Sequence, residues 1–218
     1  MRHRIWLAAT CAAVAVVITG ALPVQAAPRP TARLTAAQAA TIRHSLAGRG
    51  VGGAAIDDIL SDYSRALQVP TSSGVETTDG VVTGVRGMAV VPALLGDCSG
   101  PMRWVARTQY ENNIIGNHLA AITLRTNWCY NGSRVTYSYS SRSQYVYALG
   151  MATVSWQGWA DFSEGWYSYN GRTGGGVMTS TQGQFGSCAF RVGCLGSVYP
   201  SITLYVHYDG TYTSTGSS

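Results

Sequence analysis

Ala120–Tyr139, AAITLRTNWCYNGSRVTYSY, contains the clearest β-hairpin signal in the chain. Apolar residues such as Ile122 and Leu124 alternate with polar ones, which is the period of a strand with one buried face. Asn131-Gly132 follows, and an Asn-Gly pair between two alternating segments is a strong signal for a tight hairpin turn. This stretch therefore predicts two antiparallel strands of a larger β-structure.

The same type of pattern continues to the end of the chain. Further strands are predicted at Val154–Phe162, at Trp166–Tyr169 and around Ile202–Tyr208. The turn dipeptides Asn170-Gly171 and Asp209-Gly210 follow the last two of these segments. Gly174–Gly176 is interpreted as a loop or a bulge. Many short strands with regular turn signals favour a mainly β fold, an antiparallel β-sandwich or barrel, over residues 80–218.

A short helical segment is predicted before this β domain. Thr35 followed three residues later by Gln38 is a capping box, which begins a helix, and a second helix is predicted over Ala54–Gln68. Residues 70–79 are rich in Thr, Ser and Gly and are interpreted as a linker. Residues 27–79 are thus predicted to be a two-helix segment plus linker, which either docks on the β domain or acts as a detachable pro-segment.

The first 26 residues have the layout of a secretory signal peptide. A basic start is followed by an apolar run from Ile5 to Leu22, and Val24 and Ala26 occupy the small-residue positions of a cleavage site. A membrane anchor is the rival interpretation, because the run approaches the length of a spanning helix. Cleavage after Ala26 is favoured, which predicts a secreted, extracellular protein without a membrane segment.

Charge argues against nucleic acid as a partner. The chain has 218 residues, and all fifteen of its basic residues are arginine. Removal of the signal peptide leaves thirteen arginines against ten acidic residues, with no basic cluster of the kind that nucleic-acid binding requires.

Four cysteines remain after the predicted cleavage: Cys98, Cys129, Cys188 and Cys194. An even number in an exported chain predicts two disulfides, for which three connectivities exist. The short separation of the last two favours a Cys188–Cys194 bridge and hence a Cys98–Cys129 bridge, and the other two connectivities stay open. No C-x-x-C pair is present and the histidines lack ligand spacing, so no metal site is predicted.

Exposed aromatic residues are the candidate binding groups. Alternation along Val154–Phe162 places Trp159 on the polar face, and Tyr205 and His207 share the polar phase of their strand. Together with Trp166 they form a candidate surface for a sugar polymer or a protein. In the alternative interpretation the helices cover this face and the rings stabilise the sheet.

Asp161 and Glu164 are weak catalytic candidates. Flanked by tryptophans, they could serve as the acid and nucleophile of a glycosidase. The simpler interpretation is that Glu164 lies in a Ser-Glu-Gly loop and both carboxylates are solvated. The sequence predicts no cofactor, and it lacks the convergent set of titratable residues that catalysis usually requires.

Five features occur together in this chain: the export signal, the helical Leu34–Leu67 stretch, the Trp128–Gly132 segment, the late cysteine pair and the Tyr199–Ile202 segment. In this layout the chain resembles a broad group of secreted actinobacterial proteins, and the resemblance implies a compartment and a fold but no activity. The sequence predicts a non-catalytic binding module for an extracellular polysaccharide or protein. The alternatives are a glycan hydrolase and a toxin- or inhibitor-like protein with an N-terminal pro-segment.

Overall fold

A computed structural model describes residues 32–82, 98, 100–151, 153–189 and 193–217. The predicted signal peptide, residues 1–26, lies outside the described residues. The described residues from Arg33 onward belong to one compact unit, in which a helical segment precedes two β-sheets.

Among the described residues the helical segment contains three helices, where the sequence predicts two. They are α1 (Ala36–Gly48), α2 (Gly53–Ser61) and α3 (Tyr63–Ala66). The predicted capping box is confirmed, because the Thr35 hydroxyl accepts from the N–H of Gln38 and the Gln38 amide oxygen accepts from the N–H of Thr35. The predicted second helix breaks at Asp62, whose carboxylate accepts hydrogen bonds from the next turn and starts α3. None of the described helices has the length and apolarity that crossing a bilayer requires.

The described β-strands form two antiparallel sheets. The strands are β1 (Ser72–Val81), β2 (Met102–Asn112), β3 (His118–Tyr130), β4 (Val135–Val146), β5 (Val154–Tyr169), β6 (Arg172–Ala189), β7 (Gly193–Val198), β8 (Ser201–His207) and β9 (Tyr212–Ser217). Sheet A has the order β1-β2-β3-β4, and sheet B has the order β5-β6-β8-β9 with β7 paired to β6. The predicted mainly β fold is confirmed, and its architecture is a β-sandwich.

The predicted turns form with different lengths. Asn170 and Gly171 have φ values of 50° and 75°, the left-handed pair of a two-residue hairpin turn that joins β5 to β6. The turn after β3 is longer, because the Asn131 side-chain oxygen accepts from the N–H groups of Ser133 and Arg134. A short polar side chain thus sets the geometry of this second turn.

Two segments predicted as loops are strands. Residues 72–79 of the predicted linker belong to β1, which pairs with β2 at the edge of sheet A. An edge strand exposed on both faces needs no alternation of apolar residues, so its polar sequence gives no strand signal. Ser163-Glu164-Gly165 likewise lies inside β5, where each residue pairs with β6, so Glu164 is not on a turn.

The main core lies between the two sheets. Leu124 and Trp128 of sheet A pack in one buried cluster with Val177 and Leu204 of sheet B. The helices form a second, smaller cluster, and Ile114 from the β2–β3 loop packs against it. The helical segment therefore contacts the sandwich at the end where this loop lies.

The Cys98–Cys129 disulfide is confirmed, with Cα atoms 5.4 Å apart. It links Cys98, which precedes β2, to β3, an inner strand of sheet A. Cys188 is also disulfide-bonded, and its register partner across β6 and β7 is Cys194. Because the Cys194 side chain lies outside the described residues, the Cys188–Cys194 pairing stays a prediction.

Candidate binding surface

Trp159 lies on the inner side of β5, and the prediction that it shares the polar face is wrong. A bulge in β5 makes Trp156 pair with Phe185 and Trp159 pair with Gly183. Since the bulged strand places an extra residue opposite β6, the alternation reverses beyond it. The Trp159 ring packs edge-on against Trp156, with centroids 4.8 Å apart, at the margin of the main core.

The Trp159 ring is covered by Arg142 of β4. The guanidinium lies 4.6 Å from the centroid of Trp159 and 4.7 Å from that of Phe162. It also donates to the backbone carbonyl of Asp161 at 3.2 Å. Two cation–π contacts and a hydrogen bond hold Arg142 in the gap between β4 and β5. A side chain of the protein itself therefore occupies this stacking position.

The two carboxylates proposed for catalysis lie on opposite faces of β5. Asp161 pairs with Gln182 and Glu164 pairs with Thr179, and the pairing is regular between them. The two residues are three positions apart, an odd number, so their side chains point to opposite faces. Carboxylates that cleave one glycosidic bond must face the same sugar, so this pair does not form a glycosidase site. Trp166 lies on the same side of β5 as Glu164, and 55% of its surface is exposed.

Tyr205 and His207 lie together on the outer face of sheet B. Tyr205 contacts Tyr167 edge-on at 5.9 Å, and Tyr169 stacks on His207 at 3.7 Å with the rings nearly parallel. His207 is only 3% exposed. Burial lowers the pKa of His207, and the nearby charge of Asp209 opposes this effect. The imidazole is therefore a packed group beneath a set of half-buried tyrosines.

A larger aromatic surface, which the sequence did not predict, lies on the outer face of sheet A. Tyr110, Ala121 and Tyr145 are register partners across β2, β3 and β4, so the two tyrosines flank a small side chain. His118 stacks on Tyr110 at 4.0 Å and lies 5.5 Å from Tyr147. Tyr147 in turn contacts Tyr145 at 4.7 Å. These four rings around Ala121 form a continuous chain, here called the tyrosine patch.

Polar side chains border the tyrosine patch and orient its rings. The Tyr110 hydroxyl donates to Glu76 at 2.6 Å, and this hydrogen bond raises the pKa of Tyr110 to about 12. His118 Nδ1 lies 2.7 Å from the side-chain oxygen of Asn112. Since that oxygen can only accept, Nδ1 carries the hydrogen, and Nε2 of the neutral ring is an acceptor. Burial raises the pKa of Tyr147 as well, so both phenols are protonated at neutral pH.

The opposite end of the same face carries a second aromatic group. The Trp104 ring lies across Gly80 of β1, where a Cβ atom would come within 2.8 Å of the indole nitrogen. The Arg125 guanidinium stacks 4.4 Å from the Trp104 centroid, and Tyr139 is 54% exposed in the same row. The hydroxyl residues between the two ends are Thr108, Thr123, Ser141 and Ser143. Tyr145 lies six positions beyond Tyr139 along β4, a distance of about 20 Å.

A signal for this surface is present in the sequence. Four tyrosines occupy odd-numbered positions of the segment 135–147, which places them on one face of a strand. Strict alternation would also place Val135 on the same face of the strand as Tyr137 and Tyr139. A register shift lies between Val135 and Tyr137, so Val135 is buried while the tyrosines face outward.

Among the described residues, no group of three or more His, Cys, Asp or Glu side chains is arranged to hold a metal ion. Comparison with protein families, curated proteins and solved structures gives no match.

Proposed function

We propose that this protein is a secreted, non-catalytic binding module, and that the outer face of sheet A holds an extracellular polysaccharide. The tyrosine patch carries the proposal, because it is a continuous chain of rings on a sheet face with 58% of Tyr145 exposed. Flat aromatic rings match the C–H faces of sugars. Exposed apolar surface rimmed by polar residues is typical of binding sites.

The polar groups of this face suit sugar hydroxyls. Glu76 and Asn112 border the patch, and the hydroxyl-rich rows lie between it and Trp104. Each of these groups can donate to or accept from a hydroxyl in a well-defined direction. Aromatic groups about 20 Å apart along one strand favour an extended ligand over a compact one.

Secretion is part of the proposal. The confirmed Cys98–Cys129 bridge favours an oxidising compartment. The signal-peptide layout of residues 1–26 points to the same compartment.

The test is a pull-down of the purified, oxidised protein with insoluble cell wall, chitin and cellulose. Tyr145→Ala removes the most exposed ring of the patch, and Trp166→Ala is the matched control, because it removes an equally exposed ring from β5. We expect Tyr145→Ala to weaken binding roughly threefold to tenfold, since one aromatic contact contributes about 0.5–1.5 kcal/mol. Trp166→Ala should bind like the wild type.

Other outcomes would contradict the proposal in distinct ways. Loss of binding in Trp166→Ala but not in Tyr145→Ala would show that the binding surface lies at the β5 edge. Soluble sugar released by the wild type and not by Glu164→Gln would make the protein a hydrolase. The absence of pelleting with any of these polymers would reject polysaccharide binding and direct attention to a protein partner.

A further inference from the structure

A cavity of about 430 Å³ lies at the end of the sandwich that faces the helices. Its wall comes from residues 71–73 at the start of β1, from residues 197–199 between β7 and β8, and from Arg49 and Glu111. Arg49 is the C-cap of α1, and Glu111 lies near the end of β2. The volume falls in the range of small-molecule sites.

Three polar atoms of this wall are buried without hydrogen-bond partners. They are one terminal nitrogen of Arg49, the hydroxyl of Thr71 and one carboxylate oxygen of Glu111. The other terminal nitrogen of Arg49 donates to the Pro70 carbonyl at 2.9 Å. Glu111 is only 3% exposed, so solvent does not compensate for its missing partner. Buried polar groups in folded proteins are nearly always paired, with protein, water or a ligand, so these three atoms mark the wall as a candidate binding site.

The wall carries one positive and one negative group that do not contact each other. The ion pairs of the described residues do not include Arg49 with Glu111. Burial raises the pKa of Glu111 to about 7, and the charge of Arg49 partly opposes this. Burial also lowers the pKa of Arg49, while Glu111 raises it. Above pH 7 two opposite charges therefore face the same cavity.

The part of the wall formed by residues 197–199 is held in place by sheet B. The Gln184 amide donates to the Ser197 hydroxyl at 3.1 Å and to the Tyr199 hydroxyl at 3.2 Å. Ser197 in turn donates to Gln157 at 3.0 Å. These hydrogen bonds hold the Ser197 and Tyr199 side chains in place, which lowers the entropic cost of binding.

We propose that this cavity binds a small zwitterion of the α-amino-acid class, with its carboxylate on Arg49 and its ammonium group on Glu111. Both side chains line the cavity, and their unpaired atoms are buried, so binding requires the two terminal groups to turn toward the ligand. A molecule with only one charge leaves the other charged group without a partner, and buried charges without partners are costly. The Thr71 hydroxyl is a further donor or acceptor for either end of the ligand.

Isothermal titration calorimetry at pH 8 with L-alanine as the probe tests the proposal. Acetate and methylammonium are its two charged halves, and glucose is a neutral control. We expect L-alanine to bind one to one, and each half to bind at least tenfold more weakly. Acetate or glucose binding as tightly as L-alanine would overturn the zwitterion assignment, as would the absence of L-alanine binding.

Variants locate the site. Glu111→Gln keeps the shape of the side chain and should abolish L-alanine binding, whereas Glu164→Gln removes an exposed carboxylate on β5 and should leave it unchanged. Tyr145→Ala should also leave it unchanged, which separates this site from the tyrosine patch. Retained binding in Glu111→Gln would overturn the proposal.

The wild type offers a test that needs no substitution. Arg49 and Tyr199 are the other titratable groups of the lining, and arginine stays charged over this pH range. Because the ammonium group needs ionised Glu111, the dissociation constant should rise about 30-fold between pH 8 and pH 5.5. An affinity that does not change over this range would contradict the proposed contact.

Discussion

Replacing Glu111 with glutamine should stabilise the protein above pH 7 and much less at pH 4.5. Burial raises the pKa of Glu111 from 4.5 to about 7 in the folded protein. Between these values the unfolded chain loses the proton while the folded protein retains it, so stability falls as the pH rises. The stabilising effect of the protonated carboxyl is complete below the pKa that Glu111 has in the unfolded chain. It is lost once the pH passes the pKa that Glu111 has in the folded protein.

The magnitude follows from the difference of about 2.5 pKa units, which corresponds to about 3 kcal/mol at 25 °C. Glutamine does not titrate, so the variant lacks this dependence on pH. Arg49 keeps its charge between pH 4.5 and pH 8. Its attraction to ionised Glu111 is already contained in the folded pKa of Glu111, so the loss of this attraction in the variant adds no further dependence on pH.

The assay is urea unfolding followed by tryptophan fluorescence at pH 4.5, 6 and 8, with the fully buried Trp128 as a probe. Glu111→Gln should gain about 3 kcal/mol relative to the wild type from pH 4.5 to pH 8. Glu164→Gln is the matched control, because its carboxylate is exposed on β5. A stability difference between Glu111→Gln and the wild type that is constant from pH 4.5 to pH 8 would refute the reasoning.

Three further predictions follow from single contacts. Cys129→Ser should lower the free energy of unfolding by about 3–4 kcal/mol, because the bridge to Cys98 closes a loop across 31 residues; a loss under about 1 kcal/mol in urea unfolding would contradict this. Glu76→Gln removes the charged acceptor that raises the pKa of Tyr110 to about 12, so spectrophotometric titration should show one tyrosine ionising nearer pH 10. Trp128→Ala should cost about 3–5 kcal/mol in chemical denaturation, because the ring is fully buried between the sheets; a loss under about 1 kcal/mol would contradict the described core.

The features that the sequence predicted correctly depend on neighbours in the chain. The Thr35–Gln38 capping box forms because both partners lie within one helical turn. The Asn170-Gly171 turn forms because these residues adopt left-handed backbone angles at low cost. The confirmed Cys98–Cys129 bridge followed from the short spacing of the other two cysteines, a property of the sequence itself.

The bulges explain why the predicted binding residues do not share one surface. Trp159 and Trp156 are three positions apart, and strict alternation places them on opposite faces. The bulge in β5 brings them to the same side, where they contact each other. Alternation in the sequence shows no mark of a single inserted residue, because the residues on both sides keep their own period of two.

β2 illustrates a second reason. Its inner positions include Arg107, Gln109 and Glu111, while Trp104 and Tyr110 lie on the outer face. An apolar-inward interpretation of this strand would reverse its two faces. The inner polar groups are accommodated because β2 lies near the edge of the sandwich, as where Arg107 donates to β9 at 2.7 Å.

By itself, the sequence determined the mainly β architecture, the start of α1 and the two-residue turn after β5, because short-range backbone preferences and alternating hydrophobicity control these features. The tertiary structure alone decided which aromatic residues meet and where buried charges lie. Tyr110, His118 and Tyr145 come from three different strands, and Arg49 lines the same cavity as Glu111, more than sixty residues further along the chain. Strand register and bulges decide such meetings, and both depend on how complete sheets pack against each other.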